Sequence, residues 1–374
     1  EGDGVQKFGF GHARGDDWQT ATLACAAQIE PPRGANLGFV YITDALASDL
    51  ENITTVLTQE TGVAEWVGTI GVGICATGQE YFDERAVAAM VGCFPDGSFS
   101  IFDSSKDKHM GFAAQGDSLA TRNEVYFAVV HADPRDPEMM QRVPELAEEA
   151  GCFLVGGLAS SRGTYTQVAG SLTEGALSGV MFSSDVPVVT ALTQGCSPIG
   201  PVREVTQCEA NVAIEIDDRP ALEVLKDDIG EILAQDLQRI GGYIFGAFPV
   251  AGSDRADYMV RNLTGLDEEL GLLAIGAPLE EGQKIMFCRR DGQTARDDLA
   301  RMLVDIKRRA TTPIKGAIYF TCLGRGPNMF GAQSAELAAI QKELGDVPLV
   351  GFFCNGEISY NRVYSYTGVL SLFL

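Results

Sequence analysis

Residues 315–358 read KGAIYFTCLGRGPNMFGAQSAELAAIQKELGDVPLVGFFCNGEI, and their order of apolar and polar runs decides the fold. An apolar, β-branched and aromatic run ends at Cys322 in the bare turn CLGRG. GAQSAELAAIQKELG then carries apolar residues at three- and four-residue spacing, which predicts an amphipathic helix stopped by Gly345. VPLVGFFC is a second short apolar strand, and it ends in CNGE. A strand, a helix and a neighbouring strand place both following loops at the strands' carboxyl ends. Arg325, between two glycines, therefore either faces water or points into a cleft. Glu357, beside the turn pair Asn355-Gly356, has the same two options.

The pattern recurs twice upstream. One copy runs from LGFVYITDA (37–45) through LASDLENITTVLTQETG to WVGTIGVGICATG and AVAAMVGCF. Another runs from EVYFAVVHADP (124–134) through PEMMQRVPELAEEAG to CFLVGGLASSRG and LSGVMF. Each reads strand, polar loop, amphipathic helix, glycine-bearing strand, polar loop, strand, with Gly62, Gly151 and Gly345 suited to end the helices. Further helices from Asp16 and Thr294 precede the first and third copies, making those two the closest pair. Between the second and third copies lie two strand runs, VPVVTALTQG and REVTQCEANVAIEID. One helix is expected over RPALEVLKDDIGEILAQDL, with Pro220 in its first turn. Four strand runs follow in YIFGAFPV, DYMVRNLTG, LLAIGAPL and KIMFCRR, and their Gly, Asp and Pro separators read as an antiparallel set. The expected fold is mixed α/β, with repeated strand–helix–strand–strand units in mixed, largely antiparallel sheets flanked by helices. A boundary near 236–242 gives two closely packed domains, 1–236 and 237–374.

A formal net charge of −23 on 374 residues repels phosphate backbones and anionic surfaces, so nucleic-acid binding is not expected. No run approaches the roughly 20 apolar residues of a membrane span, and no leader pattern opens the sequence. The nine cysteines are scattered without a C-x-x-C pair, which argues against a zinc site or disulfide framework and for a reducing, cytoplasmic setting.

No phosphate-binding G-x-x-x-x-G-K-[ST] occurs, and GFGHARG and GTIGVGICATG lack the dinucleotide spacing. Cys322 beside Arg325 opens a cysteine hydrolase or amidase reading, although no nucleophile elbow is present. His12, His109 and His131 stand apart. No cofactor is expected from them, yet haem needs only one axial histidine, so a haem reading stays open.

CLGRG followed by SAE, VPLVGFFCNGEI and YTGVLSLF resembles the C-terminal FIST domain, as does YMVRNLTGLDEELGLLAIGAPLEEGQKIMFCRRD as its opening. REVTQCEANVAIEIDDRPALEVL is similar to the end of the N-terminal FIST domain, and FGFGHARGDDWQTATLACAAQI to the start of such proteins. The resemblance covers nearly the whole chain. It implies a small-ligand sensory module with a separate signalling partner. Amino acids or their derivatives are the implied ligands, and some relatives are haem-based nitric-oxide sensors. The reading that joins residues and resemblance is non-catalytic binding of a small polar or anionic metabolite. Arg325 would hold an anion through its fork. Glu357, helped by Asn355, would accept from an amine or hydroxyl. Gly324, Gly326 and Gly356 would admit backbone close to the ligand. Cys322 and Glu336 lie beside Arg325, and either Phe352 or Phe353 walls the cleft. Gly156, Gly157 and Ser160 of the middle copy line its far side.

Overall fold

The computed structural model describes residues 6–105, 125–175, 177–253 and 257–374. The chain forms two compact units, one of residues 1–193 and 298–374 and one of residues 194–297. The boundary expected near 236–242 falls inside the second unit, where Leu237–Ile240 is a short 3-10 turn.

All three repeats lie in the first unit, and each builds the centre of a six-stranded sheet. The lead strands Leu37–Thr43, Phe127–Ala132 and Gly316–Cys322 run parallel to the partner strands Trp66–Gly71, Phe153–Leu158 and Leu349–Cys354. The helices Leu50–Thr61, Met139–Ala150 and Ala335–Leu344 make the crossovers. Closing strands Ala86–Gly92, Leu177–Phe182 and Thr367–Phe373 pair antiparallel on the other side of each lead strand. The lead strand Leu37–Thr43 is buried at every position rather than alternately. Helices cover one face and an aromatic core the other, as in sheets covered on both sides. The helix Leu50–Thr61 buries Leu50, Ile53 and Leu57, the face its three- and four-residue spacing sets.

Each partner strand is completed by a hairpin from a different repeat. The hairpin Gly73–Ala76/Gln79–Phe82 of repeat one joins the sheet of repeat three. Gln167–Ala169/Ser171–Thr173 of repeat two joins repeat one. Glu357–Tyr360/Arg362–Tyr364 of repeat three joins repeat two. The exchange is cyclic, so the three sheets close around an approximate threefold axis. On it sit Tyr41, His131 and Phe320, the same register position of the three lead strands. Their ring centroids are 5.4, 6.0 and 6.1 Å apart.

The glycine of each partner strand has one physical cause. A Cβ on Gly68, Gly156 or Gly351 would sit 1.7, 1.8 or 1.7 Å from the carbonyl oxygen of Val40, Val130 or Tyr319 on the adjoining lead strand. Hydrogen bonds then tie the strand ends into a ring. Asn355 N–H donates to Leu158 O at 2.9 Å and Ser160 N–H to Ile70 O at 3.3 Å. The Ser160 hydroxyl closes the circle, donating to Phe353 O at 2.5 Å and accepting from Val72 N–H at 2.9 Å.

In the second unit, strands Lys284–Arg290, Arg203–Glu209, Val212–Ile216, Leu272–Ile275, Tyr258–Asp267 and Ile244–Pro249 follow one another antiparallel, and the last pairs back onto the first. The expected antiparallel set thus closes into a ring, with Phe287, Ile216 and Leu273 in its core. The single helix expected over 219–237 is two, Ala221–Ile229 and Glu231–Ala234. Gly230 at φ 81° breaks it.

Gly351→Ala should cost about 3 kcal/mol or more, because the new methyl meets backbone rather than a movable side chain. Gly62→Ala, at a helix end whose Cβ direction is open, should cost less despite its φ of 74°. Urea unfolding of the two variants would check this; equal losses would show that the strand approach is not the constraint.

Candidate functional site

The lead strand of repeat three ends at Cys322, and the turn that follows carries Arg325 inward instead of into water. Arg325 is fully buried, as are Glu336 and Glu357. Glu336 enters from the first turn of the helix Ala335–Leu344. Its Oε1 accepts from Arg325 Nε at 2.9 Å, the Tyr319 hydroxyl at 2.5 Å and the Thr321 hydroxyl at 3.0 Å. Its Oε2 accepts from Gly326 N–H at 3.1 Å. That carboxylate is saturated, and its work is to orient the arginine. Burial opposes the arginine's charge, but Glu336 and the neighbouring Tyr319 more than offset it and raise its pKa. Phe330, from the one-turn helix Pro327–Phe330, covers the guanidinium, with its ring centroid 5.2 Å away.

Nη1 and Nη2 of Arg325, the two arms of the fork, have no hydrogen-bond partner among the described residues. Glu357 is half-satisfied in the same way. Its Oε2 accepts from the Thr367 hydroxyl at 2.8 Å and Thr367 N–H at 3.3 Å, while Oε1 is buried without a partner. Burial pushes the Glu357 carboxyl up to about 8, against the pull of Thr367 and of Arg325, with Glu336 pushing the same way as burial. Arg325 and Glu357 therefore feel each other's charge without bonding to each other.

A fourth buried charged group comes from repeat one. Glu80 lies on the far strand of the exchanged hairpin, fully buried. Burial and Glu336 raise its carboxyl to about 7 against bonds from the backbone of Ser334, Leu337 and Glu336. Nothing in the sequence singled it out, because its position depends on the hairpin exchange.

The other expected site residues divide. Gly326, at φ 57°, makes the turn that presents its N–H to Glu336 and packs under Phe353. Gly324 lies against Tyr366. Gly157 pairs with Glu357 in the sheet and lies against Cys354, and the Gly356 carbonyl accepts from Leu158 N–H. Phe353, not Phe352, faces the Arg325 loop. Alternation along the strand sends Phe352 into the central core, stacked on Tyr41 at 5.3 Å. Asn355 is exposed, and among the described residues its backbone N–H donates to Leu158 O while its side-chain amide joins no buried group. Gly156 serves the strand approach, and Ser160 the hydrogen-bond ring. Cys322 is beside the site, but burial and the nearby Glu357 carboxylate push its thiol well up, away from the thiolate. Of the histidines, His12 Nδ1 lies 2.6 Å from the Tyr81 hydroxyl. His131 is enclosed in the core with Nε2 2.9 Å from the Tyr41 hydroxyl, and burial lowers it to about 3. His109 lies outside the described residues.

Two surface hollows lie elsewhere. One of 620 Å³ is lined by Glu51, Thr58, Trp66 and Leu172, and one of 650 Å³ by Arg14, Asp16, Glu84 and Arg85. Their polar groups are those of an ordinary surface. Among the described residues both arms of the Arg325 fork and Glu357 Oε1 are buried and unmet, as are Glu80 Oε1 on the exchanged hairpin and, elsewhere, Ser98 Oγ and His131 Nδ1. The fork and Glu357 belong to two loops of one repeat, and chemistry outweighs volume in choosing the site.

A carboxyl with a folded-state pKa near 8 and an ordinary value of 4.5 keeps a proton that the unfolded chain gives up. Stability is therefore highest below the lower value and falls as pH rises from 4.5 to 8. Glu357→Gln should remove this part of the decline. It should stabilise the protein at pH 8 by on the order of 4 kcal/mol and change little at pH 4.5, as read from melting curves across pH.

Comparison with known proteins accords with this architecture. Uncharacterized protein Rv0628c of Mycobacterium tuberculosis is 33% identical over 197 residues, 50% of this chain and 51% of the relative. Uncharacterized protein Mb0898c of Mycobacterium bovis is 32% identical over 198 residues, 50% of each. The chain spans about half the length of the curated relatives it matches. The FIST N domain matches residues 36–219, and the FIST C domain matches residues 221–360. With most of its length matched, the chain belongs to the FIST family, whose domains are associated with sensory modules in signalling.

Proposed function

We propose that this chain is a non-catalytic sensor that holds a small polar metabolite, an amino acid or a related anion, between Arg325 and Glu357. One observation carries the reading: Arg325 Nη1 and Nη2 and Glu357 Oε1 are buried and unpartnered among the described residues. Each such atom costs about 1–3 kcal/mol when left unmet, and more on a charged group. A bound molecule that supplies a carboxylate to the fork and a donor to Glu357 would meet all three. Glu336 fixes Nε, so the remaining two nitrogens form the planar pair that matches a carboxylate. Phe330 and Phe353 supply the apolar walls. A separate signalling protein receives the output.

The hydrolase reading has less support, since the Cys322 thiol is held away from the thiolate it would need.

A melting-temperature screen of amino acids and small carboxylates tests the proposal. At one hundred times its Kd a true ligand adds about 2.7 kcal/mol, a shift of several degrees. Arg325→Lys keeps a cation against Glu336 but lacks the fork, and it should lose the response while staying folded. If that variant still responds to every hit as the wild type does, the site is misassigned.

A further inference from the structure

The loop that carries Arg325 is fastened by a residue of another repeat. Glu80 Oε2 accepts from Ser334 N–H at 2.8 Å, and Glu80 N–H donates to Ser334 Oγ at 2.9 Å. The Glu80 carbonyl also accepts from Gln333 Nε2 at 3.1 Å. This is the reciprocal pattern of a capping box, made between residues 254 positions apart. Ser334 stands at φ 65°, a conformation that a residue with a Cβ adopts at some cost and that outside contacts must hold. Two residues further on is Glu336, which orients the guanidinium.

The same segment is the cover of the proposed binding group. From Gly326 to Ser334 it lays Met329 and Phe330 inward, buried, with Phe330 over the guanidinium, and leaves residues 331–333 exposed. Gly326 and Gly331 bracket its one-turn helix at φ 57° and 84°. The other enclosing elements are the crossover helix Ala335–Leu344, which bears Glu336, and strands within six-stranded sheets, whose displacement would break ladder bonds. Arg325 and Glu357 are both without solvent exposure, so a molecule reaches them only if some element moves.

We propose that Glu80 is the positioning residue that latches the 326–334 loop over Arg325, and that this loop opens for a ligand when the Glu80–Ser334 pair parts. The ligand half of the statement rests on the binding reading above, whereas the latch does not.

Hydrogen exchange on the full chain without any added molecule tests the latch separately. Glu80→Ala and Ser334→Ala should each speed exchange of amides in 326–335 by about tenfold, and the double variant should be no faster than the faster single one. Glu80→Gln keeps an oxygen for Ser334 N–H and should stay within about threefold of wild type. Amides of the strand Gly316–Cys322 should be unchanged in all four. Loop exchange that is unmoved in Glu80→Ala, or that rises equally in that strand, would overturn the proposal. Ser334→Ala keeps the test decisive should Glu80→Ala fold poorly. A failed Arg325→Lys screen alongside a responsive loop would remove the binding reading and leave the latch.

Discussion

The exchange of hairpins among the three repeats is the constraint on which the rest of the first unit depends. Each partner strand has an edge that its own repeat leaves open, and an open edge is a template for pairing with other chains. Here it is filled by a hairpin from elsewhere in the same chain, in a cycle that returns to its start. No repeat can bury its sheet edge alone, so the three stand or fall together. The glycine on each partner strand and the hydroxyl of Ser160 serve this cycle at its closest approaches. Such pairings join distant parts of the chain, which predicts slow, cooperative folding rather than repeat-by-repeat growth. The second unit is inserted between repeats two and three, since the chain departs after Thr193 and returns at Asp298.

The approximate threefold axis also explains why chemistry collects at one junction. Three equivalent hairpin positions follow from the register: Glu357 opposite Gly157, Gln167 opposite Thr69, and Ile74 opposite Phe352. Ile74 joins the core, and Gln167 accepts from the Ser178 hydroxyl. Only Glu357 brings a carboxylate to its junction. Between its lead strand and its crossover helix repeat three carries the one-turn helix Pro327–Phe330, where repeat one has the 3-10 helix Asp44–Asp49, and the helix of repeat three covers Arg325. One of the three corners of a common frame thus holds a buried ion pair and a second acid, where the matching hairpin positions of the other two hold Gln167 and Ile74.

Much of this was legible in the sequence. The alternation of apolar runs with a 3.6-residue pattern marked the three repeats, their crossover helices and the antiparallel set in the second unit, because local periodicity records burial directly. The loops bearing Arg325 and Glu357 were legible too, as strand ends of one repeat. Partners were not. Glu336 reads as an acid suited to a helix start, and only the fold turns it inward to hold Arg325. Glu80 gives no local signal, since its place follows from a hairpin given away to another sheet. Strand alternation left Phe352 and Phe353 equal candidates, and the side of the sheet chose between them. Asn355 looked like a ligand group because its turn does, yet the turn needs only its backbone. The helix break at Gly230 was missed because an isolated glycine is tolerated in many helices.

Charge balance narrows what the proposed site accepts. One guanidinium shares the cluster with three buried acids: Glu336 bonds to it, Glu357 feels its charge, and Glu80 feels that of Glu336. Glu336 is committed to Arg325 and to three further donors, so it leaves the fork's outer arms free while cancelling much of the cation's long-range field. A ligand bringing only negative charge would deepen the excess, and the cluster would tolerate it by keeping the proton that burial already favours on Glu357. Glu357 would then donate to a carbonyl or hydroxyl. A zwitterion works in the opposite sense. Its carboxylate meets the fork while its ammonium takes the place of that proton at Oε1, so binding would expel the proton to solvent. At the proposed site the two ligand classes would thus meet the same three atoms with different proton traffic, and only the zwitterion would bring a cation of its own to Glu357.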